Sequence, residues 1–241
     1  MQMELVTNVV TIALSFAVGL PILIKALRTG DRLVALLSGS LVIDGLEWVF
    51  WALYLYWPAS NPSVSDAFAT ACRLGISASV LCLGCFTWLT FRPHSVAAAI
   101  AFWAALGAMV VGFFGSGAVG DWRGFRSDYV WIWIENLAQI LVYGWACTEA
   151  LLYYRNARRR VAHGLADPVL VNKFALWGIY AGCYGGVQVL FLLALASPDG
   201  FTELGAVDIA LTLTGIGSLW LAFFPHRLYL KWLRGEPSLQ R

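Results

Sequence analysis

The residues of this sequence that could do chemistry are charged and amide side chains inside long apolar stretches. They are Asp44, Glu47, Arg73, Glu135, Gln188 and Asp208. An ionisable side chain in the middle of a membrane costs about 2.5 to 3.5 kcal/mol on insertion scales, so each one is a candidate for a functional role. One cation among four acids fits two kinds of chemistry, the binding of a small polar ligand and the transfer of a proton.

Helical spacing places several of these residues beside aromatic rings. One helix face carries Asp44, Glu47, Trp48 and Trp51, at positions i, i+3, i+4 and i+7. A second stripe, with a spacing of four residues, carries Tyr180, Tyr184 and Gln188. If both faces point into one bundle, they form a polar cavity with aromatic walls, the usual composition of a small-molecule site. We therefore predict a ligand-binding site at Arg73, Glu135, Glu47, Asp44, Asp208, Gln188, Trp48, Trp51 and Tyr184.

Two other interpretations of these residues stay open. Arg73 and Glu135 are candidates for a purely structural ion pair, with the remaining acids neutral or hydrogen-bonded. Alternatively, Asp44 or Glu47 could carry a proton during a conformational cycle. The residue types alone do not separate these interpretations from ligand binding.

No catalytic residue or metal ligand set is predicted, because the three histidines, His94, His163 and His226, all flank apolar stretches. A haem needs axial ligands inside the bundle, and a zinc enzyme needs several ligands there. The sequence also contains no phosphate loop or nucleophile elbow. An enzyme is therefore the less favoured class, and the sequence names no cofactor.

The composition dictates the elements that must hold these residues. Of 241 residues, 60% are hydrophobic and only 12% are charged, against about 25% charged in a soluble domain. At about 20 apolar residues per crossing, the length accommodates about seven spans. We predict one all-α domain over residues 1–241, an integral membrane bundle of seven transmembrane helices. The predicted spans are residues 4–27, 33–57, 66–91, 95–116, 129–154, 169–197 and 204–232.

The basic residues predict how the bundle is oriented. Thirteen Lys and Arg residues lie on one side of the predicted spans, and only Arg123 and Arg126, balanced by Asp121 and Asp128, lie on the other. By the positive-inside rule the N-terminus is outside and the C-terminus is cytoplasmic. At about 1.5 Å of rise per residue, the buried charges then share a layer in the external half of the membrane, with Asp44 near the midplane.

A segment on the basic side carries a resemblance. The run Arg158-Arg-Arg-Val-Ala-His-Gly-Leu-Ala-Asp-Pro168, followed by Asn172-Lys173-Phe174 and Leu176-Trp177, resembles one in uncharacterised bacterial seven-helix membrane proteins. That resemblance implies a fold and names no activity. In topology alone the chain also resembles microbial rhodopsins and G-protein-coupled receptors. It lacks the lysine that a rhodopsin carries in the middle of its last span, since residues 210–222 contain none.

These features lead us to expect a sensor or receptor-like subunit of the cell inner membrane, with a small ligand in the external half of the bundle. Residues 80–91 and 95–105, in the inner halves of two spans, are chiefly apolar or small. The cavity is therefore expected to open outward only. The alternatives are a small-molecule or proton-coupled transporter and an accessory subunit of a larger membrane complex.

The expected partners are the lipid bilayer, a small-molecule ligand and a protein at the cytoplasmic face between Arg155 and Lys173. Nucleic acid is not expected, because the basic residues flank the spans and orient them. On the same side, Glu149 is expected to pair with Lys173 or Lys25. Residues 227–241, rich in Leu, Trp and basic side chains, suit a short interfacial helix.

Overall fold

The computed structural model describes residues 2–57, 62–124, 130–196 and 205–234. Within these ranges the chain forms helices and no strand. The helices are α1 (Gln2–Thr29), α2 (Arg32–Tyr56), α3 (Pro62–Phe91), α4 (Val96–Ala118), α5 (Val130–Ala162), α6 (Pro168–Ala196), α7 (Gly205–Phe223) and α8 (Arg227–Arg234). The predicted all-α class is confirmed over the described residues.

Six of the helices, α1 to α4, α6 and α7, are long and apolar enough to cross a membrane. Helix α5 has 33 residues but is not in this group. Its apolar sequence is interrupted by Glu135, Asn136, Gln139 and Glu149. By the length and composition of its helices, the chain is a multi-pass membrane protein.

Three helices begin where a polar side chain caps the first turn. Asp31 Oδ1 accepts a hydrogen bond of 3.1 Å from the backbone N–H of Val34, and Ser95 Oγ accepts one of 3.2 Å from Ala98. Asp167 Oδ1 accepts one of 2.9 Å from Val169, so the dipeptide Asp167-Pro168 starts α6. Such caps satisfy N–H groups that have no partner inside the helix.

One predicted span limit is wrong, and one helix is longer than its predicted span. The seventh predicted span, 204–232, is two helices, because α7 ends at Phe223 and α8 begins at Arg227. Pro225 lies between them, and proline both lacks an N–H donor and disfavours helical backbone in the residue before it. Helix α5 continues beyond residue 154, the predicted end of the fifth span, to Ala162, so residues 155–162 with most of the basic run are helical.

Six helices pack as a ring, and α4 and α8 lie outside it. Contacts join α1 to α2, α2 to α3, α3 to α5, α5 to α6, α6 to α7 and α7 back to α1. Helix α4 packs against α5 and, less extensively, α3. We call the end at which α2, α4 and α6 finish, with Tyr56, Ala118 and Ala196, the cavity end, and the opposite one the basic end.

An apolar core fills the ring on the basic-end side of its middle. Its buried members include Leu37, Val80, Phe86, Val142 and Leu219, contributed by four helices of the ring. Val80 is fully buried, and the aromatic rings of Phe86 and Trp177 meet edge to face 5.6 Å apart. This core holds the helices in the register that places the polar side chains at the other half.

Candidate functional site

A cavity of about 160 Å³ opens in the half of the bundle nearer the cavity end. Helices α2, α3, α5, α6 and α7 contribute to its wall, together with the link after α4. Seven of the nine residues predicted for a ligand site line it: Glu47, Trp48, Trp51, Arg73, Glu135, Gln188 and Asp208. Residues that helical spacing placed on the inward faces of separate spans therefore line a single cavity in the fold.

Arg73 on α3 forms a buried ion pair with Glu135 on α5. Its Nε donates to Glu135 Oε2 at 2.8 Å, and Nη2 contacts the same oxygen. Glu135 is fully buried and Arg73 is 6% exposed. The other carboxylate oxygen of Glu135 accepts a hydrogen bond of 2.9 Å from Ser77 Oγ. The charge-assisted pairing of Arg73 with one of the neighbouring acids, expected from its depth, is confirmed.

The guanidinium of Arg73 also joins α3 to the end of α4 and to the link that follows it. Nη2 donates to Ser116 Oγ at 3.0 Å and to the carbonyl of Gly112 at 3.3 Å. Nη1 donates to the carbonyls of Asp121 and Trp122, both at 3.4 Å. Because its nitrogens already have protein partners, Arg73 acts here as a structural connector at the cavity wall.

Glycines allow the close approach that this pair needs. Gly124 has a φ of +74°, and a Cβ there would lie 2.9 Å from Arg73 Nε. On α3, a Cβ at Gly75 would lie 3.0 Å from the Cβ of Glu47. A larger side chain at either position would displace a charged wall residue, so the two glycines help to position the site.

Three polar wall residues differ from Arg73 and Glu135 in having no protein partner. Glu47 on α2, Asp208 on α7 and Gln188 on α6 make no hydrogen bond or ion pair with any residue that the structure describes. Gln188 is only 9% exposed. A polar side chain so well buried normally finds a partner, so the space beside it is suited to a polar guest.

Asp44 and Tyr184 do not line this cavity, and their predicted role in ligand binding stays a prediction. Asp44 Oδ2 accepts hydrogen bonds from Ser15 Oγ at 3.0 Å and from the Tyr184 hydroxyl at 3.2 Å. Asp44 is 2% exposed and Tyr184 is 5% exposed. Asp44 lies one helical turn from Glu47 toward the basic end, where the bundle is already filled. Both residues therefore connect α1, α2 and α6 beneath the cavity.

Several wall residues were missed by the sequence analysis. Arg123, in the link after α4, lines the cavity and forms an ion pair with Asp66 on α3. Their side chains are 42% and 44% exposed, so the cavity reaches the surface beside them. Asn136 and Gln139 on α5 also line it. Gln139 could have been predicted from the sequence, because it follows Glu135 by four residues and so shares its helix face. Arg123 could not, because it lies in a link whose position the sequence does not indicate.

The pairing expected for Glu149 is wrong. Its Oε1 accepts a hydrogen bond of 2.8 Å from Nε of Arg92, the residue that follows α3, and not from Lys173 or Lys25. This bond raises the pKa of the Arg92 guanidinium above its usual value. The pair lies at the basic end with Arg92 half exposed. It is separated from the cavity by the apolar core and is not part of it.

Comparison with protein-family models, with curated proteins and with solved structures finds no match for this chain. The resemblance to bacterial seven-helix membrane proteins stays a prediction. What the site offers chemically is a small, partly aromatic space with amide groups and two carboxyl groups that have no partner in the described part of the chain. No group of three or more candidate metal ligands occurs within the described ranges.

Proposed function

We propose that this chain is a receptor-like membrane subunit that binds a small molecule in the cavity and passes the resulting change to a separate protein. One observation carries the proposal. The cavity occupies one half of the ring and contains buried polar groups without a partner among the described residues, whereas the other half is packed with apolar side chains and with polar ones, such as Asp44, Ser40 and Ser79, that are hydrogen-bonded. A space of this composition is suited to a small ligand.

The proposed topology has seven spans with the N-terminus outside the cell inner membrane. Helix α5 is the seventh crossing, because its 33 residues extend over about 50 Å at 1.5 Å per residue. Its buried Glu135 and Gln139 face the ring interior, so the polar groups that lower its hydropathy need not contact lipid. The cavity end is then external, because the basic residues concentrate at the opposite end.

The closed half of the ring favours a receptor over a carrier. Alternating access requires a path that opens to each side in turn. Between the cavity and the basic end lie the fully buried Val80 and, at 2% exposed each, Leu41, Val142 and Leu219. Beyond them Glu149 already has a partner in Arg92. These apolar residues pack between Glu47 and the basic end, and the polar side chains buried among them, such as Ser40 and Ser79, are hydrogen-bonded to each other.

The basic end of α5 supports docking of a partner on the cytoplasmic side. Arg155, Arg158 and Arg159 line a surface groove together with Tyr154. All three arginines are exposed. Helix α5 thereby connects Glu135 at the cavity with this basic surface in one rigid element. An acidic surface on a cytoplasmic protein, or anionic lipid headgroups, would complement it.

Purified protein in liposomes tests this proposal. A library of small metabolites is screened for compounds that raise the thermal midpoint of the protein, and each hit is then tested for uptake and for proton movement with an internal pH-sensitive dye. We expect saturable binding that Glu47→Gln weakens, without flux of ligand or protons. Flux of ligand or protons that is abolished by Glu135→Gln and also by Glu149→Gln would show that the protein is a carrier and would overturn the receptor proposal. A screen without any saturable ligand would overturn the binding function itself.

A further inference from the structure

The charges around the cavity do not balance. Five charged side chains line it: Glu47, Arg73, Arg123, Glu135 and Asp208. Arg73 is paired with Glu135, and Arg123 is paired with Asp66. Glu47 and Asp208 are left without a cation among the residues that the structure describes. Because the two carboxyl groups approach one space from α2 and α7, the described wall offers two acidic groups and no cation to pair with them.

Two amide side chains line the same space, and one of them contributes a buried acceptor without a partner. Gln139 is 2% exposed, and its Nε2 donates to Ser77 Oγ at 3.3 Å. That leaves Gln139 Oε1 as a buried acceptor with no partner in the described part of the chain. Gln188, 9% exposed, has no partner there at either end of its amide. A buried acceptor is normally matched by a donor, so these groups indicate a guest that donates hydrogen bonds.

The remaining wall is aromatic and apolar. Trp48, Trp51 and Phe191 line the cavity together with Ile76 and Val187. The face of an indole ring attracts a cation. The volume of about 160 Å³ is close to that of an engineered protein cavity, about 150 Å³, that holds benzene. A guest of about six to ten non-hydrogen atoms therefore fits.

We infer that the cavity binds a small organic ammonium ion, whose N–H groups donate to Glu47, Asp208 and Gln139 and whose hydrocarbon part packs against Trp48 and Trp51. A cation restores the charge balance, supplies the missing donors and suits the indole faces. A carboxylate ligand would add a third uncompensated negative charge. This inference rests on the proposed function and specifies its ligand class.

The test uses three probes of equal length and different charge: n-pentylammonium, 1-pentanol and pentanoate. The full chain is placed in phosphatidylglycerol nanodiscs at neutral pH, and binding is measured by tryptophan fluorescence and ligand-observed NMR against empty nanodiscs. We expect saturable binding of n-pentylammonium, at least about tenfold tighter than that of 1-pentanol, since an unscreened charge pair readily exceeds a tenfold effect. Pentanoate should not bind.

Two isosteric variants identify the carboxylates. Glu47→Gln and Asp208→Asn should each weaken n-pentylammonium binding about tenfold or more and leave 1-pentanol binding unchanged. If one variant does not fold, the binding measured with the other variant still tests whether a carboxylate binds the ammonium group. Glu149→Gln is the matched control, because it removes one carboxylate at the basic end, and it should bind n-pentylammonium as the natural chain does.

The outcomes separate this inference from the proposed function. Equal or tighter binding of 1-pentanol or pentanoate, or no saturable binding of n-pentylammonium, overturns the ammonium assignment. The proposed function then still depends on its own metabolite screen. An ammonium group could reach the cavity as a free amine or as a lipid headgroup. Competition by phosphatidylethanolamine in the nanodiscs supports the lipid source, and binding unaffected by that lipid supports a free amine.

Discussion

Gly112 on α4 lies directly against Glu135 on α5, so closely that a Cβ atom on Gly112 would be 2.7 Å from the Cβ of Glu135. The same Cβ would lie 2.8 Å from the backbone oxygen of Trp131. The carbonyl of Gly112 also accepts from Arg73 Nη2 at 3.3 Å. The absence of a side chain at Gly112 thus allows α4 to pack close to the buried ion pair.

Replacing Gly112 by alanine should destabilise the protein. The new methyl group requires α4 to move away from α5, and overpacking of this kind costs about 1 to 3 kcal/mol. Gly107→Ala is the control on the same helix, because nothing lies within 4 Å of a Cβ at that position. We expect it to be neutral or slightly stabilising. The free energy of unfolding of both variants is measured by circular dichroism in a denaturing detergent. Equal changes for Gly112→Ala and Gly107→Ala would contradict the close packing at Gly112.

Removing Arg73 alone should cost more than removing the pair. Arg73→Leu leaves Glu135 as a buried charge without its cation, which costs about 3 to 5 kcal/mol. The double variant Arg73→Leu with Glu135→Leu should recover part of that loss. Arg92→Leu provides a comparison, because Arg92 is 52% exposed in its pair with Glu149 and ion pairs open to solvent contribute about 1 kcal/mol or less. A double variant less stable than Arg73→Leu would contradict the ion-pair account.

Tyr184→Phe should lower stability without affecting ligand binding. The change removes the hydroxyl that donates to Asp44 and leaves the bond from Ser15 in place. A lost hydrogen bond of this kind costs about 1 kcal/mol. Because Tyr184 lies beneath the cavity, affinity for any ligand found in the screen should stay within about twofold, a change of less than 0.5 kcal/mol. A large loss of affinity would place Tyr184 in the site after all.

Reporter fusions should show which side of the membrane each connection occupies. Fusions within residues 155–163 and after residue 241 should report a cytoplasmic position, and fusions within 58–65 and 198–203 an external one. The physical reason is the distribution of Lys and Arg, thirteen against two. An external C-terminal reporter would reverse the proposed orientation and would place the cavity on the cytoplasmic side.

The sequence by itself determined the helical class and most helix ends, because apolar length and capping residues act locally. Asp31, Ser95 and Asp167 begin helices through their own neighbours in the chain. The inward faces of α2 and α6 could also be predicted, since helical periodicity aligns residues three or four positions apart. Periodicity indicates which residues share a face, but it carries no information on what that face meets.

Tertiary structure alone decided which polar groups are satisfied. In the sequence, Asp44 and Glu47 are equivalent acids one helical turn apart. In the structure, Ser15 and Tyr184 donate hydrogen bonds to Asp44, whereas no described residue bonds to Glu47. Likewise, Glu149 pairs with Arg92 and Arg123 pairs with Asp66. In each pair the two residues are far apart in the sequence. A charge selects its partner by distance in space, and that distance is set by the packing of apolar side chains and glycines over the whole bundle.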